Sequence, residues 1–151
     1  MAKFIYRMQS ILNIKEKLEE QARMDFAQAN MRLAAEEEKL QQLKDRKFFY
    51  EEEGRRLQQD ALKVTDILEN QNAIERMKDF IAEQLLAVRK AEEAAEIARL
   101  ALMEAMLETK TQHKLKEKAF EEFMREENAK EAKEIDELTS YTYGQKRQVN
   151  E

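Results

Sequence analysis

The stretch LKVTDILENQN, residues 62–72, decides how this chain folds. Thr65 is a candidate helix N-cap, because its hydroxyl can accept from an orphan N–H of the first turn. Asp66 and Glu69 then place acids at the positive end of the helix dipole. Asn70 and Asn72 offer a second turn signal nearby. On both sides of this punctuation, apolar or small residues recur at steps of three and four. The first seam runs Phe4, Met8, Ile11, Leu18, Ala22, Phe26, Ala29, Leu33, Leu40 and Leu43, and resumes at Tyr50, Leu57, Ala61 and Val64. The second runs Ile74, Met77, Ile81, Leu85, Val88, Ala95, Ala98, Leu102 and Met106, and later Leu115, Phe120 and Phe123. Such spacing gives each helix one apolar stripe.

One stripe per helix must be buried against something. A single straight helix of ~135 residues would be ~200 Å long and would need a second chain. A chain that turns back satisfies itself. The expectation is therefore all-α: a long antiparallel two-helix coiled-coil hairpin. Arm one covers about 4–61, the turn about 62–66 and arm two about 66–138. Residues 139–151, TSYTYGQKRQVNE, carry β-formers, a glycine and no periodicity, and are expected to be a flexible, frayed tail. The four-residue steps at Leu18, Ala22 and Phe26 predict a stutter. Gly54 costs ~1 kcal/mol inside a helix and predicts a loosening of arm one.

Composition agrees with long helices. Of 151 residues 39% are charged, proline and cysteine are absent, and there are only two glycines. The absence of cysteine excludes a disulfide scaffold and a thiolate zinc site, and it suits a cytosolic address. No apolar run approaches the ~20 residues that span a bilayer, and FIY at 4–6 is interrupted by Arg7 and Gln9 rather than extended into a signal-peptide core. The net charge of −5 argues against nucleic acid as a partner. The charge is uneven, however: residues 1–17 hold Lys3, Arg7, Lys15 and Lys17 against Glu16 alone.

Catalytic and cofactor chemistry finds no residues to carry it. Neither glycine has phosphate-loop neighbours. His113 is the only histidine, and without a second histidine or a cysteine it reads as a helix-surface residue rather than a metal ligand. Glu36–Glu38 and Glu51–Glu53 point in successive directions around a helix, so they read as solvated faces rather than ion sites. No enzyme activity, cofactor or metal is expected.

Surface is what remains. The bulky N-terminal group Phe4–Ile14, beside basic residues, either packs on arm two or inserts into a partner. Phe48, Phe49 and Tyr50 are consecutive and span ~200° of a helix, so a two-helix core leaves at least one exposed. Ile74, Met77, Phe80 and Ile81 lie near the bend on the other arm. Ile135 and Leu138 mark an amphipathic end in KEAKEIDELTS, residues 130–140.

FIYRMQSILNIKEKLEEQA (4–22), AKEAKEIDELTS (129–140) and VTDILENQNAIERM (64–77) together resemble the opening, closing and mid-chain patterns of the FliJ family, soluble components of the bacterial flagellar type III export apparatus. The resemblance implies a hairpin like the central stalk of rotary ATPases. It implies paired helix ends that enter the hexameric flagellar export ATPase, a distal part that contacts the cytosolic domain of the export gate membrane protein, and binding of export chaperones. On this chain the ATPase-binding tip would be Phe4, Tyr6, Arg7, Met8 and Ile11 with Ile135, Asp136, Glu137 and Leu138. The gate-binding collar would be Leu43, Tyr50, Met77 and Phe80. The family carries further aromatics early in arm two, where this chain has Asn70, Gln71, Asn72 and Ala73. The resemblance further implies a monomeric hairpin in the cytoplasm, peripheral to the inner face of the membrane at the flagellar base. Three other readings stand beside it: a structural coiled-coil homodimer, the equivalent stalk of a virulence secretion system, and a membrane-surface protein using its basic amphipathic start.

Overall fold

The computed structural model describes residues 2–59 and 63–149 and consists of two helices, α1 (Gln9–Gln59) and α2 (Val64–Val149). Among the described residues there is no strand. The two helices pack on each other antiparallel, as a helical hairpin. The chain divides into two compact units: residues 20–104 form one, and residues 1–19 with 105–151 the other.

In the unit of residues 20–104, the side chains withdrawn from solvent include an unbroken heptad series. On α1 it runs Ala22, Phe26, Ala29, Leu33, Glu36, Leu40, Leu43, Lys47, Tyr50, Gly54 and Leu57. On α2 it runs Ile67, Asn70, Ile74, Met77, Ile81, Gln84, Val88, Ala91, Ala95, Ala98 and Leu102. Steps of three and four alternate without a break, the pattern that keeps two helices in contact along a left-handed supercoil. Register is fixed by polar residues inside the seam. Gln84 Nε2 donates to the Glu36 carbonyl at 2.8 Å and to its carboxylate. Asn70 Nδ2 donates to the Tyr50 carbonyl at 2.8 Å. That register sets bulky Phe26 across from the small Ala95–Ala98 stretch, so large meets small at the interface. Met77, Val88, Ala91 and Ala95 are the buried residues here.

Gly54 is helical, and its role is spatial. A Cβ built there would stand 2.5 Å from Asn70 Oδ1. The missing side chain admits the Asn70 amide, which reaches the carbonyl one turn back. The expected loosening at Gly54 does not occur, since α1 runs on to Gln59.

Other expectations need correction. Arm one was placed from residue 4, but residues 2–6 are irregular, a turn follows at 7–8, and α1 begins at Gln9. Thr65 is not the cap. The Ile67 N–H donates to the Lys63 carbonyl at 3.2 Å, so Lys63 flanks the helix and Thr65 and Asp66 lie in its first turn. Val64, read as the end of the first seam, opens α2 and is exposed. Residues 60–62, including Ala61 and the first residue of the expected turn, lie outside the described residues, and the rest of that turn, from Val64 on, is already helical. Residues 139–149, expected to be a frayed tail, are helical to Val149. The stutter is absent because Leu18 is exposed and Glu19 takes the inward position.

Candidate docking surfaces

The unit of residues 1–19 and 105–151 begins with an anchored lead-in. The Phe4 ring meets Phe120 edge-on at 5.3 Å and Phe123 at 5.4 Å. Such pairs contribute ~0.5–1.5 kcal/mol beyond area burial. Tyr6 is half-buried, and its hydroxyl has no hydrogen-bond partner among the described residues. Leu12 is the most enclosed side chain, at 1% exposure. Both edges of the seam are tied. Lys15 Nζ pairs with Glu108 at 2.8 Å, and His113 Nε2 stands 3.1 Å from Glu16. Thr109, buried, donates to the Lys15 and Ala105 carbonyls at 3.2 and 3.0 Å. His113 is thus an edge residue, as its sequence context implied.

With Leu12, Lys15 and Glu19 turned inward, the bulkier neighbours are left outside. Ile5 is 79% exposed, Met8 41%, Ile11 38%, Ile14 56% and Leu18 53%. Met8, Ile11, Ile14 and Leu18 are separated by three, three and four residues, so they form one stripe over about three turns. Arg7 and Lys17 are exposed beside it. This surface contains the expected tip residues Met8 and Ile11. It adds Ile5 and Ile14 from the same bulky N-terminal group, and Leu18, which the sequence pattern assigns to the seam.

The other half of the expected tip is elsewhere. Phe4 sits at Phe120 and Phe123, so Ile135, Asp136, Glu137 and Leu138 lie about 20 Å farther along α2 at 1.5 Å per residue. The structure does not bring them beside Phe4–Ile11. Residues 128–149 are exposed throughout, Ile135 at 62% and Leu138 at 65%.

The collar in the unit of residues 20–104 is partly withdrawn. Met77 is buried, and Leu43 and Tyr50 are half-buried in the seam; only Phe80 presents itself, at 47% exposure. The outward aromatics are Phe48 and Phe49, and the Phe49 ring lies 5.9 Å from Tyr50. A 710 Å³ surface groove is lined by Lys39, Leu43, Asp45, Arg46, Phe49 and Gln84.

Among the described residues no three of His, Cys, Asp or Glu converge as a metal site, and no helix is long and apolar enough to cross a membrane. What the molecule offers is two long helices with exposed apolar strips at defined positions. Its sequence matches the family described as "Flagellar FliJ protein" over residues 4–148. This chain belongs to the FliJ family. Membership carries the coarse role, a component of type III export. No curated protein matches the sequence. Among solved structures, the FliJ-family chain is similar to a putative YscO homolog, CT670, from Chlamydia trachomatis. The identity is 21%, the TM-score 0.62, and the match covers 97% of this chain and 99% of that one. At that identity the likeness concerns the fold.

Proposed function

We propose that this chain is a non-enzymatic adaptor of flagellar type III export. It docks on the hexameric export ATPase through the N-terminal stripe of α1 and on the cytosolic domain of the export gate through the Phe48–Phe49 and Phe80 surface, and it carries export chaperones to that gate. It works in the cytoplasm, peripherally at the inner face of the membrane. The observation that carries this reading is the exposed stripe Met8–Leu18. A hairpin of two helices needs one stripe on each, and the N-terminal end of α1 has a second. Exposed apolar surface of this kind marks a partner site. Burial at ~25 cal/mol per Å² supplies attraction, and Arg7 and Lys17 bias the approach of an acidic rim.

The test is a pull-down of the purified ATPase with Ile11→Glu/Leu18→Glu, alongside circular dichroism and ATP hydrolysis. The expected result is binding weakened at least ~10-fold, with loss of any stimulation of hydrolysis and unchanged helicity. Binding at the unsubstituted level by a fully helical variant would count against the stripe. The gate arm is tested by Phe49→Ala/Phe80→Ala, which should lose gate binding and keep ATPase binding.

A further inference from the structure

We propose that the irregular lead-in, residues 3–8, is a latch with a second state in which it joins α1 and turns Phe4 outward onto the exposed stripe. In the closed state Phe4 sits against Phe120 and Phe123. Tyr6 is drawn inward, and its hydroxyl has no hydrogen-bond partner among the described residues. Ile5, at 79% exposure, and Met8, at 41%, stay in solvent. The closed state thus buries an unsatisfied polar group and leaves two apolar side chains out, and both features weaken it.

A helical lead-in reverses both. The inward positions at the start of α1 are Glu19, Lys15 and Leu12, at steps of four and three. Continued backward at the same alternation, they fall on Met8 and Ile5, the two apolar residues now outside. Thr109, donating to the Lys15 carbonyl, fixes the local register. In that register Ile5 comes level with Ala119 and Met8 with Lys116, two half-buried positions of α2. A large side chain then meets a small one, and Met8 meets an alkyl stem. Tyr6 moves to the outer surface, where water satisfies its hydroxyl. Phe4, Arg7, Ile11, Ile14 and Leu18 follow one another at alternate steps of three and four, so the stripe gains a turn and a regular heptad face. Nothing in the lead-in stops α1 at Gln9. Met8 takes the N-cap place, its carbonyl accepting the Leu12 N–H at 3.1 Å, and the first turn has no acid. Residues 3–8 contain neither glycine nor proline. The Phe4 ring cluster holds the latch closed, and a partner that binds the longer stripe draws it open.

The latch is a property of the chain alone; only its use in docking rests on the function proposed above. The first test therefore omits the ATPase. In the full chain, Phe4→Ala removes the closed state and Ala2→Asp, at an exposed position, caps the longer helix. The Cα chemical shifts of residues 3–8 in Ala2→Asp/Phe4→Ala should be helical in more than about half of the molecules. Adding Ile5→Ser/Met8→Ser should return them to coil values. Coil shifts in the first variant, or helical shifts that survive in the second, would overturn the latch. The second test uses Phe4→Cys/Phe120→Cys, the only thiols in the chain. Oxidation locks the lead-in closed and should lower capture by the purified ATPase on the order of threefold, reversed by dithiothreitol. Equal capture by the two forms would overturn the role of the latch in docking. Failure of the unsubstituted chain to bind the ATPase would instead remove the docking surface, with the chemical shifts still deciding the latch.

Discussion

Residues 22–57 lie in α1 and residues 8–18 lead into it and form its first turns, yet the two stretches differ in which apolar side chains enter the seam. In 22–57 the apolar series Ala22, Phe26, Ala29, Leu33, Leu40, Leu43 and Leu57 is the seam itself. In 8–18 the seam position passes through Leu12 and Lys15, and Met8, Ile11, Ile14 and Leu18 stay in solvent. In 22–57 the exposed apolar residues Met24, Met31, Phe48 and Phe49 stand apart from the seam, whereas in 8–18 four of them run beside it as one stripe. The difference separates what α1 buries in its own hairpin from what it leaves in solvent.

The largest expected effect breaks the first region. Val88→Asp puts an unpaired carboxylate at a seam position only 7% exposed. It should destabilise by ~3 kcal/mol or more, read as a fall in the urea midpoint. Ile14→Glu, in the second region, should change stability by no more than ~0.5 kcal/mol. If the two substitutions cost the same, the contrast between the regions is false.

The contrast also explains which parts of the fold the sequence revealed. Helix, hairpin and antiparallel direction were legible because apolar spacing over two long arms leaves no other arrangement for one chain. The inward frame was legible only where an apolar residue occupied it. At Leu18 the reading followed the bulky residue, and the structure uses Glu19. The same one-residue displacement recurs at Ile11 for Leu12, Leu85 for Gln84, Met106 for Ala105, Leu115 for Lys116 and Phe120 for Ala119. A two-helix seam is narrow. Lys and Gln stems can lie along it with their polar heads at the edge, so hydrophobicity is a poor guide to the last residue of frame. The helical end at 139–149 departs from the expected tail for a related reason. Its β-formers cost only a few tenths of a kcal/mol each in an exposed helix, and nothing there breaks one. Ile135 and Leu138 are both exposed, in a segment that packs on nothing in its own chain. Their distance from Phe4 depends on register, which rests on Asn70, Gln84 and Thr109 and not on the apolar pattern.

An intermediate effect sharpens the second region at its start. Phe4→Ala removes two ring contacts and should free residues 2–8 while leaving α1 intact. Amide exchange should rise across the lead-in only, for a loss of about 1–2 kcal/mol in local protection. Loss of protection along all of α1 would mean that the aromatic cluster holds the helix itself in place.

The smallest effect lies in the first region, where Gly54 and Asn70 share one space. Gly54→Ala alone gains ~1 kcal/mol of helix propensity and pushes the Asn70 amide off the Tyr50 carbonyl, a hydrogen bond of about the same net value. The two should nearly cancel. In an Asn70→Ala background the clash and the bond are both gone, so adding Gly54→Ala should stabilise by the full ~1 kcal/mol. A double-mutant cycle in urea measures the coupling directly. A cycle that closes additively would show that Gly54 does not exist to admit Asn70. The register of this unit would then rest on Gln84 and Glu36 alone among the polar contacts described for its seam.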